Sequence, residues 1–358
     1  MTGNFNHAAG LPLPGEWAAL AAHAAADVNA RFGHPLMGLP GTWIGALTSA
    51  ARQDPHLKPS TCLLRQTPWS EWHYWWQAQY LDAIVDTGFL TLNAGNRAAA
   101  KGELHRGQQL LRGIMIRNFG RFPNYFYDDM AWLALAAHRL NELSLRLTAR
   151  PSRLAIYAIK SLTKQLHNAH DTVLGGGIYW SRKRDFKNTP ANGPAALHFI
   201  RAREQDLAES ILDWLRHELF DPVTGLYVDG IHPSATGRDV EHTIYTYNQG
   251  PVLAVLLELG RPQHLARAAN LVDCIRDQLS TPGQGLRLEP GGDGSLFTGI
   301  LCRYLALAAR EERLPALTRE TASNLIQETA AKVRGQTPLQ LSAAVQRWSI
   351  LSAAAASE

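Results

Sequence analysis

The stretch NYFYDDMAWLALAAHRL, Asn124 to Leu140, places two adjacent carboxylates, Asp128 and Asp129, ahead of a run that is apolar on nearly every face through Ala137. A helix without a polar face must be surrounded by protein. The stretch therefore predicts an inner helix over Asp129–Leu143 with two like charges at its mouth. One Asp at a helix start satisfies unpaired N–H groups and meets the positive end of the dipole. Capping does not easily account for two. Crowded carboxylates resist double ionisation, and one of them has its pKa pushed up.

Three more segments share this lack of charge: Pro190–Arg201, Gly250–Gly260 (GPVLAVLLELG) and Ser295–Ala309 (SLFTGILCRYLALAA). Glu71–Thr87 is aromatic-rich and helical. Amphipathic segments lie between them: Gly15–Phe32, Ala98–Ile116, Ser152–Ala169, Asp206–Phe220, Gln263–Leu279 and Pro315–Val333. The two kinds alternate, with inner helices expected to begin near residues 71, 127, 190, 241, 294 and 342. That recurrence is longer than tetratricopeptide or ankyrin repeats and lacks their signatures. Six helical hairpins closing into a ring, inner helices within an outer layer, account for it. No Pro/Gly/Ser-rich linker divides the chain, so residues 1–358 read as one all-α domain.

Composition agrees. The 358 residues are 46% apolar and 18% charged. Ala and Leu dominate, which favours helix, and runs of Val, Ile and Thr are scarce. The net charge of +4 is too small to mark a nucleic-acid surface. The cluster Arg182-Lys183-Arg184 reads as solvated loop charge. Cys62, Cys274 and Cys302 are far apart and odd in number, so no disulfide framework or zinc knuckle is implied. No run reaches the ~20 apolar residues of a membrane span. The start MTGNFNHAAGLPLPGEW lacks a basic segment followed by an apolar core, so a cytoplasmic protein is expected. Oligomeric state is not readable.

The loops ahead of the inner helices hold Asn, Asp, Gly, Tyr and Trp: NYFYDD, GGGIYWS, KNTPANG, YVDGIHPS, YTYNQG and LEPGGDGSLFTG. Functional residues tend to lie on loops held by a rigid scaffold. If the inner helices point one way, these loops converge on one end of the ring. A carboxylate pair there suits glycoside hydrolysis, which needs one ionised and one protonated group. Trp75, Trp76, Tyr127, Trp180 and Tyr247 offer flat apolar faces for sugar rings, or else belong to the core. Asn188, Asn192, Asn248 and Gln249 donate and accept, which suits vicinal hydroxyls, although Asn also favours turns. Other chemistries find no support. There is no GxxxxGK, GxSxG, HExxH or CxxC motif, and GGGIYW lacks the dinucleotide spacing. His167 and His170 have no third ligand in view. Neither a cofactor nor a metal is expected.

The segments YDDMAWLALA, GGGIYWS, KNTPANGPAAL, DWLRHELFDPVTGLYVDGI, TYNQGPVLAVLLELG and LFTGILCRYLA resemble glycoside hydrolase family 76, the endo-α-1,6-mannanases and their relatives, over roughly residues 70–310. The resemblance implies an (α/α)6 barrel, in agreement with the six-fold alternation. It also implies cleavage of α-1,6-linked mannose chains with retention of configuration, on a mannose-containing oligosaccharide or polysaccharide. Asp128 would be the nucleophile and Asp129 the general acid/base. The chain departs from the family at Leu133, where a second Trp often follows Trp132, and at Thr189-Pro190. The basic loop beside Trp180 raises the expectation of an anionic substituent on the substrate. Two other readings stand beside this one. A sugar epimerase or isomerase on the same barrel would centre its pocket on His73, His198, His232 and His242. A non-catalytic glycan-binding protein would not need two crowded carboxylates.

Overall fold

In the computed structural model, which describes residues 15–49, 72–234 and 237–358, charge-poor and amphipathic segments form two concentric layers. Outer and inner helices alternate along the chain. The first pair is α1 (Glu16–Arg31, outer) and α2 (Tyr74–Asn93, inner). Then come α3 (Arg97–Arg117, outer), α4 (Tyr127–Thr148, inner), α5 (Arg153–Ala169, outer) and α6 (Thr189–Arg201, inner). The series continues with α7 (Gln205–Glu218, outer), α8 (Thr246–Leu259, inner), α9 (Pro262–Leu279, outer) and α10 (Gly294–Arg310, inner). It ends with α11 (Ala316–Val333, outer) and α12 (Leu341–Ala356, inner). Each inner helix packs on the next, and α12 returns to α2 to close the ring. The N-terminal α1 lies against α12, so the last inner helix receives its outer partner from the other end of the chain. This is the all-α (α/α)6 barrel expected from the alternation.

Five of the six inner helices start within three residues of expectation. The sixth, α8, begins at Thr246 rather than near 241, because residues 237–241 are a strand. That strand pairs with Gly230–Ser234, which pairs in turn with Lys187–Asn188. Cys62, Glu71 and the stretch before residue 15 lie outside the described residues.

Why the inner ring closes so tightly is visible at Gly250. A Cβ there would stand 2.7 Å from the Tyr304 ring of α10, a separation real side chains do not tolerate. The lower half of the ring holds charge as well as apolar packing. Arg139 of α4 bonds Asp82 and, at 2.5 Å, Asp86 of α2. Arg303 of α10 lies 2.9 Å from Asp86 and 3.3 Å from Asp82, and donates to Ser349 of α12 at 2.9 Å. Four inner helices are thereby cross-tied away from the barrel mouth. None of the helices among the described residues is long and apolar enough to cross a membrane.

Candidate active site

The site begins with an antiparallel bridge between two loops. Phe126 pairs with Ser181; the Tyr127 N–H donates to the Trp180 carbonyl at 2.7 Å, and the Arg182 N–H to the Tyr125 carbonyl at 3.1 Å. The 173–187 loop can present Trp180 there because its root is pinned. The fully buried Lys187 ammonium donates to Asp171 (2.7 Å) and to the carbonyls of Val173 (2.7 Å) and Gly176 (2.6 Å). Gly177, at φ 77°, lies so close to Trp214 that a Cβ would fall 2.6 Å from its ring. The GGG run thus seats the loop on the outer helix α7.

Asp128 and Asp129 occupy the first turn of α4. Asp128 Oδ1 accepts the Asp129 N–H at 2.7 Å, satisfying one unpaired N–H of the first turn, while the N-cap position itself is Phe126 and has no side-chain cap. Asp128 Oδ2 accepts the Trp180 indole N–H at 3.0 Å. Asp129 Oδ2 accepts from the Asn124 amide at 2.6 Å. Both carboxylates face a pocket of about 490 Å³. Trp72, His73 and Trp75 at the start of α2 form one wall, and Trp180 with Phe126 another. A third wall is the parallel stack of Tyr247 on Phe297, with centroids 3.8 Å apart at 8°, on which Trp75 tilts. Asp293 lines the same space and accepts the Trp76 indole N–H at 2.6 Å. The pocket therefore sits where inner-helix N-termini converge, an environment favourable to negative charge.

Burial, and then the neighbouring Asp129, raise the Asp128 carboxyl well above the usual carboxylate range. Burial raises Asp129 to about 7; the Asn124 amide opposes the rise and Asp293 adds to it. Two carboxylates in adjacent positions titrate as a pair rather than as two independent acids. Near neutrality the pair holds a proton beside a carboxylate, which is what acid- and base-assisted cleavage requires. Asp229, at the root of the 230–241 hairpin, faces Asp128 and is raised to about 6 by burial.

Of the residues singled out from sequence, the pocket unites Asp128, Asp129, Trp75, Trp180 and Tyr247. Trp76 stands behind it. Four others are committed elsewhere, which corrects their reading as sugar contacts. Tyr127 is buried beneath the Arg182 guanidinium, 5.6 Å away. Asn188 caps α6 by accepting from Ala191 at 3.2 Å. Asn192 grips the backbone of Ile178, accepting at 2.6 Å and donating at 2.8 Å. Gln249 does the same to Tyr227, at 2.9 Å each way. An amide that would match a diol matches a peptide group equally well. Asn248 is buried beside Asp229.

Sequence reading missed Asn124, Asp229, Asp293 and Phe297. All four stood in the quoted loops, but nothing in their spacing distinguished them from turn and core residues. The histidines do not assemble an alternative centre. His73 lines the pocket, stacked on Trp76. His198 is buried between His138 (3.2 Å) and Thr163 (2.9 Å), and His232 pairs with Glu241 at 2.7 Å. The basic loop is also largely neutralised: Lys183 pairs with Asp185 at 2.6 Å and Arg184 with Asp171 at 3.6 Å. Among the described residues no group of three His, Cys, Asp or Glu could hold a metal ion.

No curated protein matches this chain in sequence. Solved structures do match its fold. The α-1,6-mannanase from a Salegentibacter species superposes with a TM-score of 0.79 at 24% identity, covering 96% of this chain and 100% of that one. An inactive variant of that mannanase, with two consecutive aspartates replaced by asparagine and α-1,6-mannotriose bound, gives the same 0.79 at 24% identity over 96% and 100% of the chains. A protein from Listeria innocua matches at 0.75 with 22% identity, over 95% of this chain and 97% of that one. The family model for glycosyl hydrolase family 76 covers residues 54–348, from ahead of α2 into α12. By that match this chain belongs to glycosyl hydrolase family 76 and is a glycoside hydrolase.

Proposed function

We propose that the protein cleaves α-1,6-linked mannose chains with retention of configuration, Asp128 acting as nucleophile and Asp129 as general acid/base. The observation that carries this reading is the adjacent carboxylate pair on the pocket floor between the Trp180 face and the Tyr247–Phe297 stack. The mannanase with which the barrel shares its fold was inactivated at two consecutive aspartates and bound α-1,6-mannotriose, which supports the same pairing here.

In this division of labour the two N–H groups that Asp128 receives, from Asp129 and Trp180, favour its charged form. They act against the burial and the neighbouring Asp129 that raise it above its partner, so the shared proton passes to Asp129 for the reaction. Asp128 attacks the anomeric carbon while Asp129 gives its proton to the glycosidic oxygen, and a covalent glycosyl-enzyme forms. Asp129, now ionised, takes a proton from water, which displaces the sugar from Asp128 and restores the starting state. The aromatic walls hold the sugar rings by their apolar faces. That α1 completes the ring on α12 supports reading residues 1–358 as one catalytic unit.

Proton NMR of α-1,6-mannotetraose with the purified protein tests the proposal. The new reducing end should first appear as the α-anomer. Initial release of the β-anomer would overturn retention, and no cleavage at high enzyme would overturn the substrate assignment.

A further inference from the structure

We propose that Asn124 is a positioning residue for Asp129, presenting its carboxyl with a hydrogen-bond donor that cannot turn into an acceptor. An asparagine side chain is normally ambiguous, since its two ends exchange by a flip. Here the ambiguity is removed. Asn124 Oδ1 accepts the Phe126 N–H at 3.1 Å, so the end directed at Asp129 Oδ2, 2.6 Å away, is the NH2 group.

The support extends outward. The Asn124 carbonyl accepts Arg182 Nε at 2.9 Å, and Arg182 Nη2 donates to Gln165 of α5 at 2.8 Å. One strut thus runs from the outer layer through Arg182 and Asn124 to the reacting carboxyl. Arg182, bonded to the Asn124 carbonyl and the Gln165 amide, is a brace for this strut rather than a contact for an anionic substrate.

Two consequences follow. Oδ2 of Asp129 is engaged, leaving Oδ1 to carry the proton toward the glycosidic oxygen. And an obligate donor favours the ionised carboxyl, opposing a setting that otherwise makes it cling to its proton. That setting is acidic. Asp128 faces Asp129 from the same helix, Tyr74 from α2, His73 from the residue before α2, and Asp293 from the loop before α10, while Asp229 faces Asp128. Without Asn124 the acid would be harder to deprotonate and freer to rotate.

The inference rests on the acid/base reading of Asp129, and one comparison separates the two. It is the pH profile of kcat/KM for Asn124→Ala against wild type on α-1,6-mannotetraose. The alkaline limb, on which the general acid loses its proton, should move up by about one pH unit while the acid limb stays in place. The loss should be about 10–100-fold on mannotetraose and far smaller on a dinitrophenyl mannoside, whose leaving group needs no proton. An equal loss on both substrates with both limbs unmoved would overturn the inference. Movement of the acid limb alone would overturn the assignment of Asp129 as the acid. If wild type cleaves neither substrate, the functional reading fails, yet carboxyl NMR titration of 13C-Asp-labelled protein still decides about Asn124. Asp129 must titrate higher in the variant, and an unmoved titration would overturn the proposal. Should Asn124→Ala not fold, Asn124→Ser removes the same donor and carries the same expectations.

Discussion

The indole of Trp180 donates to Asp128 Oδ2 at 3.0 Å while the same ring, 37% exposed, forms a wall of the pocket. One side chain therefore touches both the proposed nucleophile and the space proposed for the sugar, and substitution can part the two roles. Trp180→Phe keeps an apolar face and loses the N–H. A hydrogen bond to a charged group contributes on the order of 1.5–3 kcal/mol, so kcat should fall about 10–100-fold. The acid limb of the pH profile should rise, because Asp128 without its donor ionises less readily. Trp180→Ala should show the same loss and raise KM in addition. If both variants keep the wild-type limb and differ in KM alone, the indole is only a platform.

The stack of Phe297 on Tyr247 makes a separate statement about binding. The rings lie 3.8 Å apart at 8°, and Trp75 tilts onto both. Phe297→Ala removes the back of this wall without touching either carboxylate. KM for mannotetraose should rise about 10-fold, with kcat changed less than about three-fold, since a buried aromatic contact contributes roughly 1 kcal/mol beyond its area. Steady-state kinetics would decide. A fall in kcat with KM intact would place the stack in the chemistry instead.

The pair also links activity to stability. Burial raises Asp129 to about 7 against an ordinary value near ~4. A carboxyl raised on folding disfavours the folded state once the pH exceeds its unfolded value. The cost grows up to the folded value and is absent below the unfolded one. Asp129→Asn should therefore lower kcat by about 10²–10⁴ on mannotetraose, as loss of a general acid does. It should also stabilise the fold at pH 8, by about 1–2 kcal/mol because the pocket is open to solvent and screens the penalty. The gain should vanish near pH 4. Urea denaturation at the two pH values is the check; a variant no more stable at pH 8 than at pH 4, relative to wild type, would contradict the raised carboxyl.

How far the sequence carried this reading depended on which signals burial makes unique. The inner helices were legible because a segment such as Met130–Ala137 has no polar face to offer water. The carboxylate pair stood out because two adjacent acids at such a helix are costly. Asn192 and Gln249 misled because an amide serves a peptide group as well as a sugar, and only their burial distinguishes the two. Asp293 was hidden in GGDG, which reads as a turn. The start of α8 was misplaced because the strand at residues 237–241 is charged and exposed and gives no alternating pattern. The cross-tie of Asp82, Asp86, Arg139 and Arg303 was invisible, its members being scattered over helices far apart in the chain.

That cross-tie yields the sharpest stability test. Two carboxylates and two guanidiniums balance, and the Arg303 side chain is 7% exposed. Burial alone would raise Asp82; Arg139 and Arg303 outweigh it and hold the carboxyl below its ordinary range. Removing one cation leaves an uncompensated buried charge, which costs about 3–5 kcal/mol. Arg303→Met, close in length and apolar, should lose about that much by urea denaturation at pH 7. Adding Asp86→Asn restores neutrality and should recover most of the loss. Acid supplies the same remedy, since protonation of a carboxyl discharges the surplus. The deficit of the single variant should therefore shrink as the pH falls toward 4, while wild type loses stability on passing below the range where Asp82 ionises. A deficit unchanged by either Asp86→Asn or acid would mean that Arg303 contributes packing rather than charge balance.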